Sequence, residues 1–249
     1  MQVASESHTA HPAAMLALWE ATLGQRATRR DDALLVHGLG LRAAPRRLGA
    51  RNAGLLALQT RLFGPALALR AECPRCAEAL TFGIDAEQCR AACVGSEHED
   101  ASTHVLDAQG YLLHYRLPTA DDLALIEGEA DLDAAAARLL SRCVVTCEQA
   151  GRAADAATLP AAVRQQLAAA MESQDPGASL WFSLQCPACT HAWDAPLDAG
   201  AALWQQLQAQ AERLLLQVDA LARRYGWTEA EVLALSPARR AAYLQLIDA

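Results

Sequence analysis

Apolar positions in the first sixty residues recur every three to four places, the spacing of one helix face. Met15, Leu16, Leu18, Trp19 and Leu23 share such a stripe behind Pro12, a favoured first-turn residue, and predict a helix ending near Gly24. Leu34, Leu35 and Leu39 predict a second helix over residues 31–39, interrupted by Gly38 and Gly40. Residues 45–64 start with Arg46, Arg47 and Arg51 and continue through Leu55, Leu56, Leu58, Leu62 and Phe63. They predict an amphipathic helix closed by Gly64-Pro65.

The pattern then shortens to extended runs. Leu67-Ala68-Leu69-Arg70 and Leu80-Thr81-Phe82-Gly83-Ile84 flank one tight turn. Leu180-Trp181-Phe182-Ser183-Leu184 and Trp193-Asp194-Ala195-Pro196-Leu197 flank another. Between these two hairpins the chain predicts a short helix over 85–93, a polar acidic loop over 96–102, and a β-hairpin. The strands of that hairpin, at 105–106 and 111–117, bracket the turn Asp107-Ala108-Gln109-Gly110. After Pro118, Thr119 with Asp122 three places on has the form of a capping box. A helix over 131–147 follows, with Leu132, Leu139, Leu140, Val144 and Val145 as core candidates. Another spans 158–173, and Asp175-Pro176-Gly177 turns the chain back.

The last block has the strongest 3.6-residue period. Leu203, Trp204, Leu207, Ala211, Leu214, Leu215, Val218, Leu221 and Ala222 predict a helix over 201–225, capped by Gly226. Its stripe suits either core packing or a coiled-coil contact. Thr228 and Glu231 form a capping box for a short helix to Leu235, and Ser236-Pro237 opens one more to Ile247. The expected fold is α+β and predominantly helical. It divides into a disordered N-terminus (1–10), a helical region (11–65), paired hairpins (66–88 and 178–200), an inserted α/β segment (89–177) and a helical C-terminal region (201–249).

Composition narrows the class. Apolar residues make up 53%, enough for a real core, and the net charge of −8 disfavours a nucleic-acid binder. All basic residues are Arg, and the one basic stretch, between Arg42 and Arg51, suits either phosphate or a solvated face. The polar N-terminus predicts no signal peptide, and no apolar run reaches transmembrane length. The expectation is a cytoplasmic protein whose eight cysteines stay reduced and are read first as metal ligands.

The two tight turns carry the chemistry. They read Cys73-Pro74-Arg75-Cys76 and Cys186-Pro187-Ala188-Cys189. Two Cys-Pro-x-Cys knuckles supply four thiolates, the donor set of a closed structural Zn²⁺ site. A shift of 113 positions carries the first copy onto the second: Cys73 to Cys186, Cys76 to Cys189, Ile84 to Leu197, Asp85 to Asp198 and Ala86 to Ala199. The expectation is a zinc-ribbon hairpin used twice, with one zinc joining the copies across a domain-sized insertion. Cys89 and Cys93, and Cys143 and Cys147, stand four apart. They are read either as a second metal site or as buried small apolar residues. His191 lies one place too far from Cys189 for haem attachment, and His104 and His114 lack a third metal donor at helpful spacing. No phosphate loop, nucleophile elbow or HExxH motif occurs. A site closed by four thiolates has no open position for a hydrolytic water, so the metal reads as a scaffold.

Several stretches, taken in order, resemble the T4-type phage baseplate protein family in its zinc-knuckle form, encoded in contractile injection system gene clusters. They are Arg51-Asn52 with Leu55-Leu56-Ala57-Leu58 and Arg61-Leu62-Phe63-Gly64; the two knuckles; Tyr115-Arg116-Leu117-Pro118-Thr119 with Asp122-Leu123; and Tyr225-Gly226-Trp227-Thr228-Glu229-Ala230-Glu231 with the helical tail after Leu235. The resemblance implies a non-enzymatic component or chaperone-like assembly factor. Its expected partners are baseplate, hub or spike proteins of a phage-tail-like particle. Contact regions are sought at 225–249 and 46–61. Two other readings remain: a zinc-ribbon nucleic-acid-binding regulator, and a thiol oxidoreductase using CxxC. The sequence leaves the oligomeric state open.

Overall fold

The computed structural model describes residues 11–93 and 102–247. The expectations of a disordered N-terminus and of an acidic loop before Ser102 therefore fall outside the described residues. The fold is α+β and mostly helical, with small antiparallel sheets.

Three helices open the described residues: α1 (Pro12–Thr22), α2 (Ala27–Leu39) and α3 (Leu48–Phe63). Helix α2 starts four residues earlier than its apolar stripe indicates, because Leu34 and Leu35 need only its second half to face the core. Gly40 adopts φ 70° and ends it, donating its N–H to Val36 O. Close packing of α2 on α3 depends on glycine: a Cβ at Gly38 would lie 2.5 Å from the Leu58 side chain.

The first hairpin pairs β1 (Ala66–Glu72) with β2 (Ala79–Asp85), followed by α4 (Ala86–Ala92). The second pairs β7 (Trp181–Gln185) with β8 (Ala192–Pro196), followed by the 27-residue α8 (Ala199–Tyr225). The 113-residue offset holds in the strand register. Ala68 faces Gly83 where Trp181 faces Pro196, and Glu72 faces Ala79 where Gln185 faces Ala192. Asp85 and Asp198 each cap the helix that follows, accepting from backbone N–H groups one turn in.

Between the hairpins, β3 (His104–Ala108), β4 (Tyr111–Tyr115), β5 (Val144–Gln149) and β6 (Arg152–Ala153) form one antiparallel sheet in that order. The β3–β4 turn puts Gln109 and Gly110 at φ 54° and 81°, both positive, as a tight two-residue hairpin turn demands. Helices α5 (Ala120–Ile126), α6 (Leu132–Cys143) and α7 (Ala161–Gln174) complete this segment. Thr119 and Asp122 form the reciprocal capping box at α5.

The helix expected over 131–147 is corrected here. It ends at Cys143, and the β-branched run Val144-Val145-Thr146 enters β5 beside β4. Pairing with β4 overrides the helical spacing. Leu132 and Val145, taken as core, are exposed, the latter at the bulge where the β4–β5 register shifts.

Among the described residues two apolar cores result. The main one joins α1, α2, α3 and α8 with the hairpin bases through Leu67, Leu180 and Leu197, and reaches Leu233 of α9 (Glu229–Ala234). The second lies under the middle sheet, around Leu113, Tyr115, Cys143, Val163 and Leu167. The stripe of α8 therefore serves mainly as core, although Leu215 within it and Leu216 beside it stay exposed. Helix α10 (Pro237–Ile247) packs back on α8, and Arg240 is buried there, its guanidinium donating to Gln217 Oε1 and Leu235 O.

Candidate metal centre

Each knuckle is built by the same backbone bonds. In the first, Ala77 N–H donates to Cys73 O and Cys73 N–H donates to Glu78 O. In the second, Thr190 N–H donates to Cys186 O and Cys186 N–H donates to His191 O, all four at 2.9 Å. The residue after the second cysteine of each turn is left-handed: Ala77 at φ 59° and Thr190 at φ 57°. That conformation is costly for a β-branched residue. The bonds on either side of Thr190 hold it, as does its hydroxyl, which donates to Cys189 O. The sequence carried no sign of this, since no glycine marks either position.

The rest of each hairpin aims the knuckles at one another. One face of each is half-buried and meets the other, with the Phe82 and Phe182 rings 6.1 Å apart. With the bases anchored in the main core, the four sulfurs of Cys73, Cys76, Cys186 and Cys189 converge within 4.8 Å of one another. Cys73 Sγ lies 3.6 Å from Cys189 Sγ, and Cys76 Sγ lies 3.6 Å from Cys186 Sγ. A tetrahedral zinc with bonds of about 2.3 Å sets its sulfurs about 3.8 Å apart, so the cluster has the size such an ion needs. All four candidate ligands named from the sequence come together.

The electrostatics also favour a cation. Burial opposes ionisation of Cys73, yet the N–H groups of Arg75 and Cys76 and the nearby sulfurs bring its thiol down to about 7. For Cys76 the Glu78 N–H favours the thiolate, but the Cys189 and Cys186 sulfurs and burial outweigh it and push the thiol up to about 12. Four thiolates this close repel one another, and a divalent cation among them supplies the compensating charge.

The other cysteines stand apart. Among the described residues no second group of three or more His, Cys, Asp or Glu side chains converges. Cys143 lies in the middle core and Cys147 on β5, not on one helix. Burial pushes the Cys93 and Cys143 thiols up to about 11 and also raises Cys89 and Cys147, the setting of unreactive thiols.

The arginines at the start of α3 and just before it are engaged internally. Arg51 is buried and bonds Asp32, Pro45 O and Thr28 O. Arg47 lies 3.8 Å from buried Asp175, which also accepts from Gly49 N–H. Arg46 pairs with Asp121 across the chain. Asn52 donates to Gly177 O. The contacts to Asp175 and Gly177 fasten the end of the insertion to α3 just before β7. The sequence hid these, because their partners lie more than a hundred residues away. His191 stacks on Trp193, His104 stacks on Tyr115, and neither joins the sulfur cluster. Comparison with protein-family models, curated proteins and solved structures finds no match to this chain.

Proposed function

We propose that Cys73, Cys76, Cys186 and Cys189 bind one structural Zn²⁺. The protein then works as a non-enzymatic structural or chaperone-like assembly component of a contractile injection system or phage-tail-like baseplate. The observation that carries the metal reading is the convergence of four sulfurs from knuckles more than a hundred residues apart in the chain. Tetrathiolate donor sets suit zinc, and a site with four protein ligands is closed. Bound there, the ion supplies folding energy, not a reaction centre. Its place is to hold the two hairpins, and with them α4 and α8, in one arrangement.

The baseplate reading rests on the sequence resemblance, which runs through α3, both knuckles, the Tyr115–Asp122 stretch and the tail. The structure gives several of those stretches architectural work. Arg51 and Asn52 tie α3 to its surroundings, and Arg116 forks onto Asp122 at 2.6 and 2.8 Å. Tyr225, Trp227 and Tyr243 form a partly exposed aromatic cluster at the end of α8. That cluster is our candidate surface for a hub or spike partner, since aromatic side chains dominate binding hot spots. The nucleic-acid alternative loses its motivation where Arg46, Arg47 and Arg51 already face carboxylates.

Elemental mass spectrometry on the untagged protein and on Cys76→Ser tests the metal. About one zinc per chain, lost in the variant, is expected; a metal-free wild type with titratable thiols overturns it. Co-purification with baseplate, hub and spike proteins of a contractile tail tests the role. Stoichiometric capture weakened by Trp227→Ala supports the role, and the absence of any complex refutes it.

A further inference from the structure

The sulfur cluster is asymmetric in a way that a symmetric zinc clamp does not require. Cys73 and Cys186 are 2% and 1% exposed, whereas Cys76 is exposed and Cys189 half-buried. The two close sulfur–sulfur contacts both run between hairpins, and each joins one buried sulfur to one accessible sulfur: Cys73 to Cys189 and Cys76 to Cys186. An accessible sulfur beside a sheltered one is the arrangement of an attacked thiol with its resolving partner.

We propose that Cys76 and Cys189 are oxidation sites for peroxides. Their sulfenic acids are resolved by Cys186 and Cys73 into two cross-hairpin disulfides, so that the metal is released while the hairpins stay tied. This rests on the metal reading above for its release half. Each step balances. With the metal bound, Cys76 is held as a thiolate, and its sulfur attacks the peroxide O–O bond, giving a sulfenic acid and hydroxide. The Cys186 thiolate attacks that sulfur, the S–S bond forms and a second hydroxide leaves. Solvent protons convert both hydroxides to water. Cys189 and Cys73 repeat the sequence with a second peroxide. Two electrons pass from each sulfur pair to each peroxide, and the oxidised sulfurs no longer act as thiolate donors.

Closing each pair from 3.6 Å to a disulfide length of about 2.05 Å needs a movement of only about 1.5 Å. A disulfide within a knuckle would instead cut the link between residues 116 and 110 positions apart. The proposed chemistry exchanges an ionic tie for a covalent one without releasing either hairpin.

Trypsin cuts after Arg75 and separates Cys73 from Cys76, so it distinguishes cross-hairpin from within-knuckle disulfides, and fragmentation of the peptide chain between Cys186 and Cys189 shows which of the two each one joins. The reduced protein is assayed for zinc, treated with hydrogen peroxide in the presence of a chromogenic chelator, alkylated, and digested without reduction. The proposal expects about one zinc released per chain. It also expects one species joining three peptides, residues 71–75 through Cys189 and 76–90 through Cys186 of 165–213, and the reverse assignment overturns it. Residues 71–75 joined only to 76–90, with an internal disulfide in 165–213, overturn it, as do thiols that survive or pass to sulfinic acid. A reduced protein without zinc sinks the metal reading and the release half. The peptide map still decides the pairing, so the two failures are distinguishable.

Discussion

Replacing Cys189 by Ser removes one of the four sulfurs and leaves Cys73 without its partner in the opposite hairpin. The two residues are 116 positions apart, so a tie between them strongly restricts the unfolded chain. Chain-entropy arguments value a cross-link closing about 100 residues at about 4.7 kcal/mol, and a metal held by both knuckles constrains the chain in the same manner. The hairpin bases keep their core contacts through Leu67, Leu180 and Leu197, so the variant still folds while its knuckles separate. A loss of about 4–5 kcal/mol lowers the Tm of a chain this size by roughly 10–20 °C. Differential scanning calorimetry under reducing conditions, with zinc equimolar to protein, measures it. Chelator-treated wild type should melt with the variant. Cys89→Ala, a half-buried thiol outside the cluster, should cost no more than about 1–2 kcal/mol. A Cys189→Ser melt equal to wild type, or a larger shift for Cys89→Ala, refutes the clamp.

Three further substitutions probe the buried polar groups. Asp122 accepts from Arg116, Arg142 and Thr119 while 2% exposed, and Asp122→Ala should cost about 2–4 kcal/mol in urea denaturation. Burial works against its charge, but the Arg116 fork and Thr119 hold the carboxyl well below the usual range. Its contribution is therefore full above the unfolded value near pH 4 and fades as pH falls further; a wild-type acid limb no steeper than the variant's contradicts this. Asp31 has the opposite sign. Burial, aided by Asp198 and opposed by Arg30, raises its carboxyl to about 6, so its contribution is present below about pH 4 and lost as pH rises to about 6. Asp31→Asn should gain about 1–2 kcal/mol at pH 7 and flatten that interval, and a destabilised variant at pH 7 refutes the assignment. Gln59 is 1% exposed and neither amide atom has a partner among the described residues, so Gln59→Leu should raise the urea midpoint by the equivalent of about 1–2 kcal/mol; a lowered midpoint points to a bridging water.

Where local chemistry dictates geometry, sequence and structure agree closely. Thr119 with Asp122 and Thr228 with Glu231 form the expected capping boxes, and Gly226 turns left-handed to end α8. The α8 stripe lies on the core because its period matches the helix. The 131–147 stretch went the other way: Leu139, Leu140 and Val144 fit a helical period, but β4 offers Val144–Gln149 a ladder. A partner strand thirty residues upstream leaves no mark on local spacing. The internal pairing of Arg47 and Arg51 was hidden for the same reason, since a basic stretch reads identically whether its counter-charges come from solvent or from Asp32 and Asp175.

By itself the sequence determined the donor set. Four cysteines in two Cys-Pro-x-Cys turns, with flanks repeating at an offset of 113, specify two knuckles of one design, because the turn bonds and strand register are local. Tertiary structure decided that the two knuckles meet. That required both hairpin bases in one core, the Phe82–Phe182 contact, and the fastening of residues 175–178 to α3 across the insertion. It also decided which sulfur pairs with which and which one faces solvent. Those properties depend on how two distant surfaces dock, and local sequence has no means of encoding them.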